Sequence, residues 1–174
     1  MNIIKTKSMA AKFSDLVDYF ERIAEEHVSI KHSATQKHFF RFELDEVLAG
    51  LTSKLNYPAL ILEAYDFDFA DSRSDNIIKQ RNGAFILIDK VSDTGDFAKI
   101  HEVWDEMEEI GDDILIRMRR DKALRIEPVL RDFDIAMSSG VPFDVRAYGQ
   151  YGMRFTFSLR CPVNNEVDTA KWLT

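Results

Sequence analysis

With 174 residues the chain is sized for one domain and can bury a core without disulfide or metal staples. Hydrophobic residues make up 45% and charged residues 30%, and a formal net charge of -7 argues against binding to nucleic-acid phosphates or to an anionic membrane surface. A single cysteine, Cys161, excludes an internal disulfide and any multi-cysteine metal site.

From the N-terminus, residues 1–11 read as a flexible basic arm that lacks the apolar segment of a secretion signal. Over residues 12–27, Phe13, Leu16, Val17, Phe20, Ile23 and Ala24 recur at helical spacing, with Asp15, Asp18, Glu21 and Glu25 on the other face. That pattern predicts an amphipathic helix. Residues 27–38, rich in His, Ser, Lys and Thr, read as a mobile surface loop. Leu44, Val47, Leu48, Leu51 and Leu55 predict a short second helix. Tyr57-Pro58 ends it, because a residue before proline avoids the α region.

Residues 59–69 open with the apolar run Ala59-Leu60-Ile61-Leu62, then alternate Tyr65, Phe67 and Phe69 against Asp66 and Asp68. This predicts one strand, buried on both faces at its start and half exposed at its end. A turn is expected over 71–75 and a strand over 76–91. Within that strand Asn82-Gly83 is a hairpin signal, with a bulge in one long strand as the competing reading. The short, polar stretch 77–81 favours one long bent strand.

Asp93 and Asp96 supply turn and cap residues for the longest helix, residues 96–120. Phe97, Ile100, Trp104, Met107, Gly111, Ile114 and Met118 step along it by threes and fours. Its length would be about 35 Å. Acids cluster early and Arg117, Arg119, Arg120 and Lys122 late, which complements the helix dipole. Residues 124–137 predict a strand whose phase slips at a proline-associated bulge, Pro128. A turn over 138–142 leads to a return strand over 143–161, bent near Gly149 and Gly152. There Met153, Phe155, Phe157, Leu159 and Cys161 alternate with Arg154, Thr156, Ser158 and Arg160, giving one buried and one wet face. Residues 162–174 form a polar C-terminal tail. The predicted fold is a single α+β domain: a mainly antiparallel four-stranded sheet of two hairpins, with the long helix between them and the N-terminal helix packed on one face.

No catalytic, cofactor-binding or metal-binding residue is assigned. His101 with Asp105, and Glu102 with Glu106, have helical spacing that would let a pair share a metal. The zinc-protease pattern needs a second histidine where Asp105 stands, so a solvated acidic helix face is the preferred reading. Asp66, Asp68, Asp71 and Asp75 crowd one strand end, but Ala70 and Asp71 break the calcium-loop pattern. His27, His32 and His38 have no cysteine or carboxylate at ligand spacing. Cys161, in phase with Phe157 and Leu159, reads as a core thiol. What remains is a candidate interface: the row Arg154, Thr156, Ser158 and Arg160 against the acidic helix face Glu102, Glu106 and Glu109 of a neighbouring copy. Arg131 and Arg146 are candidates to join the row.

Three local patterns carry a resemblance: Tyr57-Pro58-Ala59-Leu60-Ile61-Leu62, Asn82-Gly83-Ala84-Phe85-Ile86-Leu87-Ile88, and Gly152-Met153-Arg154-Phe155-Thr156-Phe157-Ser158-Leu159. With the element order and size, they resemble phage tail terminator and tail completion proteins over about residues 13–161. The 27–38 loop and the 162–174 tail have no counterpart in that resemblance. It implies a non-enzymatic structural protein, commonly a hexameric ring on the end of a tail tube. The implied partners are copies of the chain itself and tail-tube or other particle proteins. It also implies assembly in the cytoplasm and incorporation in a virion or tail-like particle. The alternatives are a small-ligand-binding or enzymatic α+β domain with a pocket between sheet and long helix near Trp104 and Tyr65, and a protein-binding adaptor that uses the acidic helix.

Overall fold

The computed structural model describes residues 12–41, 55–71, 77–163, 166–167 and 169–173. The predicted N-terminal arm, nearly all of the predicted second helix and most of the turn over 71–75 lie outside those residues. The periodic N-terminal segment forms helix α1, Phe13–Glu26, which buries Leu16, Val17, Tyr19, Phe20, Ile23 and Ala24. Its first turn is closed by Asp15, whose carboxylate accepts the Lys12 backbone N–H at 2.8 Å. Strands follow as β1 (Phe39–Arg41), β2 (Ala59–Leu62), β3 (Asp66–Asp71) and β4 (Ile77–Lys90). Helix α2 spans Phe97–Leu124, and β5 (Ser139–Val145) and β6 (Gln150–Pro162) complete the sheet.

The α+β class holds, but the sheet has six strands and is mixed, not four-stranded. The order is β1-β2-β4-β6-β5, with β3 also paired to β4, and β1 runs parallel to β2. β1 was not foreseen: a three-residue strand carries too little periodicity to stand out. Residues 59–71 do follow one edge of β4, but in two pieces. Leu62 faces Phe85 and Asp66 faces Asn82, so one residue is inserted and the side-chain parity flips. This is why even-numbered Leu60 and Leu62 and odd-numbered Phe67 and Phe69 share a face. Asn82-Gly83 is no hairpin: both residues pair in register with β6 inside one 14-residue strand, and the bulge lies not in β4 but between Leu62 and Asp66, on its other side.

The strand predicted over 124–137 is absent. Leu124 is the last residue of α2, and two 3₁₀ turns follow, Pro128–Leu130 and Ile135–Met137. The helix ends in a Schellman motif: Arg125 N–H reaches the Lys122 carbonyl at 3.0 Å and Ile126 N–H reaches that of Asp121 at 3.1 Å. Pro128 lacks a donor, and Asp134 caps the second turn through the Ala136 N–H. Only Phe133 makes a bridge, to Leu159. The apparent phase slip comes from Val129, Leu130 and Phe133 packing on the core from an irregular segment. The turn expected over 138–142 is strand instead, and the segment 143–161 is not one return strand. It is the end of β5, a turn closed by Gly149 at φ 64, and β6.

Helices α1 and α2 cover one sheet face. Phe20 stacks on Phe157 at 5.6 Å and sits 5.4 Å from Phe85, and Phe85 stacks on Phe155 at 5.0 Å. A polar network, buried at Tyr19 and Asp121, ties the helices together. Tyr19 donates to Asp121 at 3.1 Å, Arg117 Nε donates to both Asp121 oxygens, and Arg117 Nη2 reaches Glu26 at 2.9 Å. Burial, then the Asp121 charge, push the Tyr19 phenol well above its ordinary range, so it remains a donor. On the other sheet face, Phe40, Leu55, Ala59, Ile61, Ile86 and Ile88 form a smaller cluster. The run Ala59-Leu60-Ile61-Leu62 is apolar throughout because both of its faces are buried.

Candidate functional site

On β6 the side chains of Arg154, Thr156 and Ser158 lie across from Ile86, Ala84 and Asn82 of β4. That is the face away from α1 and α2, because Phe85 and Leu87, which alternate with them, are in the helix-side core. Arg154 grips Glu63 with a fork: Nε at 3.1 Å and Nη2 at 2.6 Å from the same Oε2. Thr156 shares a hydrogen bond of 2.7 Å with Ser139 on β5. Ser158 is buried and lies 3.4 Å from Asn82 Oδ1. With Tyr65, Gln80 and Met137 these residues line a shallow depression of about 470 Å³. Arg160 at the strand end is exposed. The row is thus less free than its alternation implies, because Glu63 at the bulge and Ser139 on β5 take two of its members into pairs.

The acids Glu102, Glu106 and Glu109 lie on the solvent side of α2, and Glu102 is held by Lys99 at 2.9 Å. The sheet separates them from the β6 row, so within one copy the two sets do not meet. Arg146 pairs with Asp144 at 3.3 Å, and Arg131 stands elsewhere. It lines a groove of about 810 Å³ at the C-terminal end of α2, with Arg119, Lys122, Ala123, Arg125 and Pro128. Nothing in the sequence pattern brings Arg131 next to Arg119, because that pattern places Arg131 in a strand.

Each loop histidine has a structural partner. His32 Nδ1 accepts the backbone N–H groups of His38 and Phe39, and His38 Nδ1 lies 2.8 Å from the Pro58 carbonyl. His27 Nδ1 accepts the Ser29 N–H at 3.2 Å. The 27–38 segment is therefore a loop pinned to the fold by its imidazoles, with Ile30 fully buried, and not a free surface loop. His101 stacks on Trp104 at 5.6 Å. Among the described residues no three His, Cys, Asp or Glu side chains converge as a metal site. Cys161 keeps its predicted face but is only half buried, because it lies at the end of β6, where it accepts a hydrogen bond from Arg81. Asp68 accepts from the Asn82 amide at 3.3 Å, while Asp75 lies outside the described residues.

Trp104 lines a recess of about 260 Å³ with Phe97, Asp144, Arg146 and Tyr151, and its indole N–H is buried without a hydrogen-bond partner among the described residues. Tyr65 lies apart from it, edge-on to Phe13 at 5.3 Å. Between the sheet and α2 the space is filled by Phe85, Phe155, Met107 and Ile110. Among the described residues no helix is long and apolar enough to cross a membrane. No family model matches the chain, and no curated protein or solved structure shows significant similarity to it.

Proposed function

We propose that this chain is a non-enzymatic structural subunit that associates with copies of itself into a ring, in the manner of the tail terminator and tail completion proteins its strand patterns resemble. The observation that carries this reading is on β3. Phe67 and Phe69 stand side by side at 5.7 Å on a strand whose only described neighbour is β4, and they are 49% and 59% exposed. Two adjacent half-exposed aromatics on an edge strand leave apolar surface and backbone hydrogen-bonding groups open to a partner. Lys79 lies 3.5 Å over the Phe67 ring, which keeps a cation at the rim of that patch. The test is absolute mass by light scattering over a wide concentration range, with negative-stain images of the largest species. A closed ring supports the reading; a monomer at every concentration argues against it.

A second reading, ligand binding, is favoured by the recess at Trp104. A buried indole N–H with no acceptor beside an Asp144–Arg146 pair is a polar feature that a small bound molecule would complete. Melting-temperature shifts across a metabolite panel would reveal it, and a flat panel would remove it.

A further inference from the structure

We propose that the groove at the C-terminal end of α2 receives the acidic N-terminal half of α2 from a second copy of the chain, so that copies join head to tail. This rests on the reading of the chain as a self-associating subunit and names the surfaces involved. Lys122 donates to the Phe133 carbonyl, but the side chains of Arg119, Arg125 and Arg131 are exposed and make no hydrogen bond or ion pair among the described residues. Of the two acids beside them, Glu127 is taken by Arg22 from α1. Asp132 alone leaves the groove with a positive excess, and its buried Oδ2 has no hydrogen-bond partner among the described residues.

Arg125 adds a second indication. It holds the left-handed conformation at φ 55, where the helix-ending motif ordinarily places glycine. That backbone is strained for an arginine and not for glycine. The position thus keeps a long cationic side chain on the groove at the expense of backbone strain.

The complement is on the same helix. Residues 100–116 carry seven acids and no Lys or Arg. Exposed Asp105, Glu106 and Glu109 make no hydrogen bond or ion pair among the described residues. Glu106 and Arg119 are about 20 Å apart along the axis. The screening length at physiological salt is about 8 Å. Opposite charges fixed that far apart cannot neutralise one another within a copy, but a second copy can supply each with its counterpart. Such a contact uses a different surface on each partner, so it leaves both copies open to a further neighbour and closes a ring when the rotation permits.

The test compares light-scattering mass for the wild type, Arg125→Gly/Arg131→Glu and Glu106→Lys/Glu109→Lys, with urea melts confirming that each is folded. Each variant should lose about tenfold or more in association constant. Arg125→Gly alone should associate more weakly while melting at higher urea, which separates the groove charge from stability. Mixing the two double variants should restore association between unlike copies that neither variant shows alone, since the acidic face of one and the groove of the other are native. An assembling wild type whose mass neither double variant changes would overturn this interface and leave the self-association reading standing. A wild type that is monomeric at every concentration would overturn both. Tight binding of tripolyphosphate to the groove with no effect on assembly would assign it to a phosphate ligand and overturn the proposal.

Discussion

Gly111 sits in the middle of the longest helix, where glycine costs about 1 kcal/mol relative to alanine. Its reason is Phe155: a Cβ built at Gly111 would lie 2.0 Å from the ring tip. The ring cannot retreat, because Phe85 stacks on it and Gly140 admits its other side. Gly111→Ala should therefore destabilise by about 1–3 kcal/mol despite the better helix former, read as a lower urea midpoint. Asp89 makes a pH-dependent prediction. Burial raises its carboxyl above the ordinary range, against the opposing pull of the Lys90 amide and the Lys99 charge. A folded-state pKa above the unfolded value contributes stability that is fully present below about pH 4 and lost as pH rises through the raised value. Asp89→Asn should thus gain on the wild type as pH rises through that window and show no gain below it. Urea midpoints across pH would measure this.

At the scale of the element, α1 is held by its buried stripe more than by its own propensity, since an isolated helix of 14 residues is marginal in water. Phe20, fully buried between Phe85 and Phe157, is the centre of that stripe. Phe20→Ala should cost about 3–5 kcal/mol in urea unfolding. A loss under about 1 kcal/mol would mean the aromatic stack collapses around the gap, contrary to the packing described. The α1–α2 charge network adds orientation rather than much stability, because Arg117 and Glu26 are both substantially exposed.

For the whole molecule, the sheet is asymmetric. Its centre is the unbroken β4–β6 ladder from Ile78–Pro162 to Lys90–Gln150, while among the described residues β1, β3 and β5 lie at its margins. β5 is blunted by Pro142, which cannot donate to an added strand. β3 carries no proline and presents two aromatics. Phe67→Ser with Phe69→Ser should therefore lower the mass of any assembly at a given concentration. It should leave the monomer's melting point nearly unchanged, since both rings are half in water already. Mass and melt on the same sample check both halves of that expectation.

Sequence alone determined the elements whose periodicity is strong: α1, α2, the long β4 and the alternating half of β6. In each, local spacing decides which side is buried, and that is a property of a short window. It also located the acidic face of α2 and the half-exposed end at Phe67 and Phe69. Tertiary structure decided the rest. Whether 124–137 is strand or turn depends on the Schellman end of α2 and on Asp134, and apolar residues packed from an irregular segment imitate a strand's pattern. Whether Arg154 is a free cation depends on a bulge 91 residues away that presents Glu63. Arg119, Arg125 and Arg131 become one basic groove only when the chain folds back past Pro128, because a surface made of residues from several segments has no signature in any one of them.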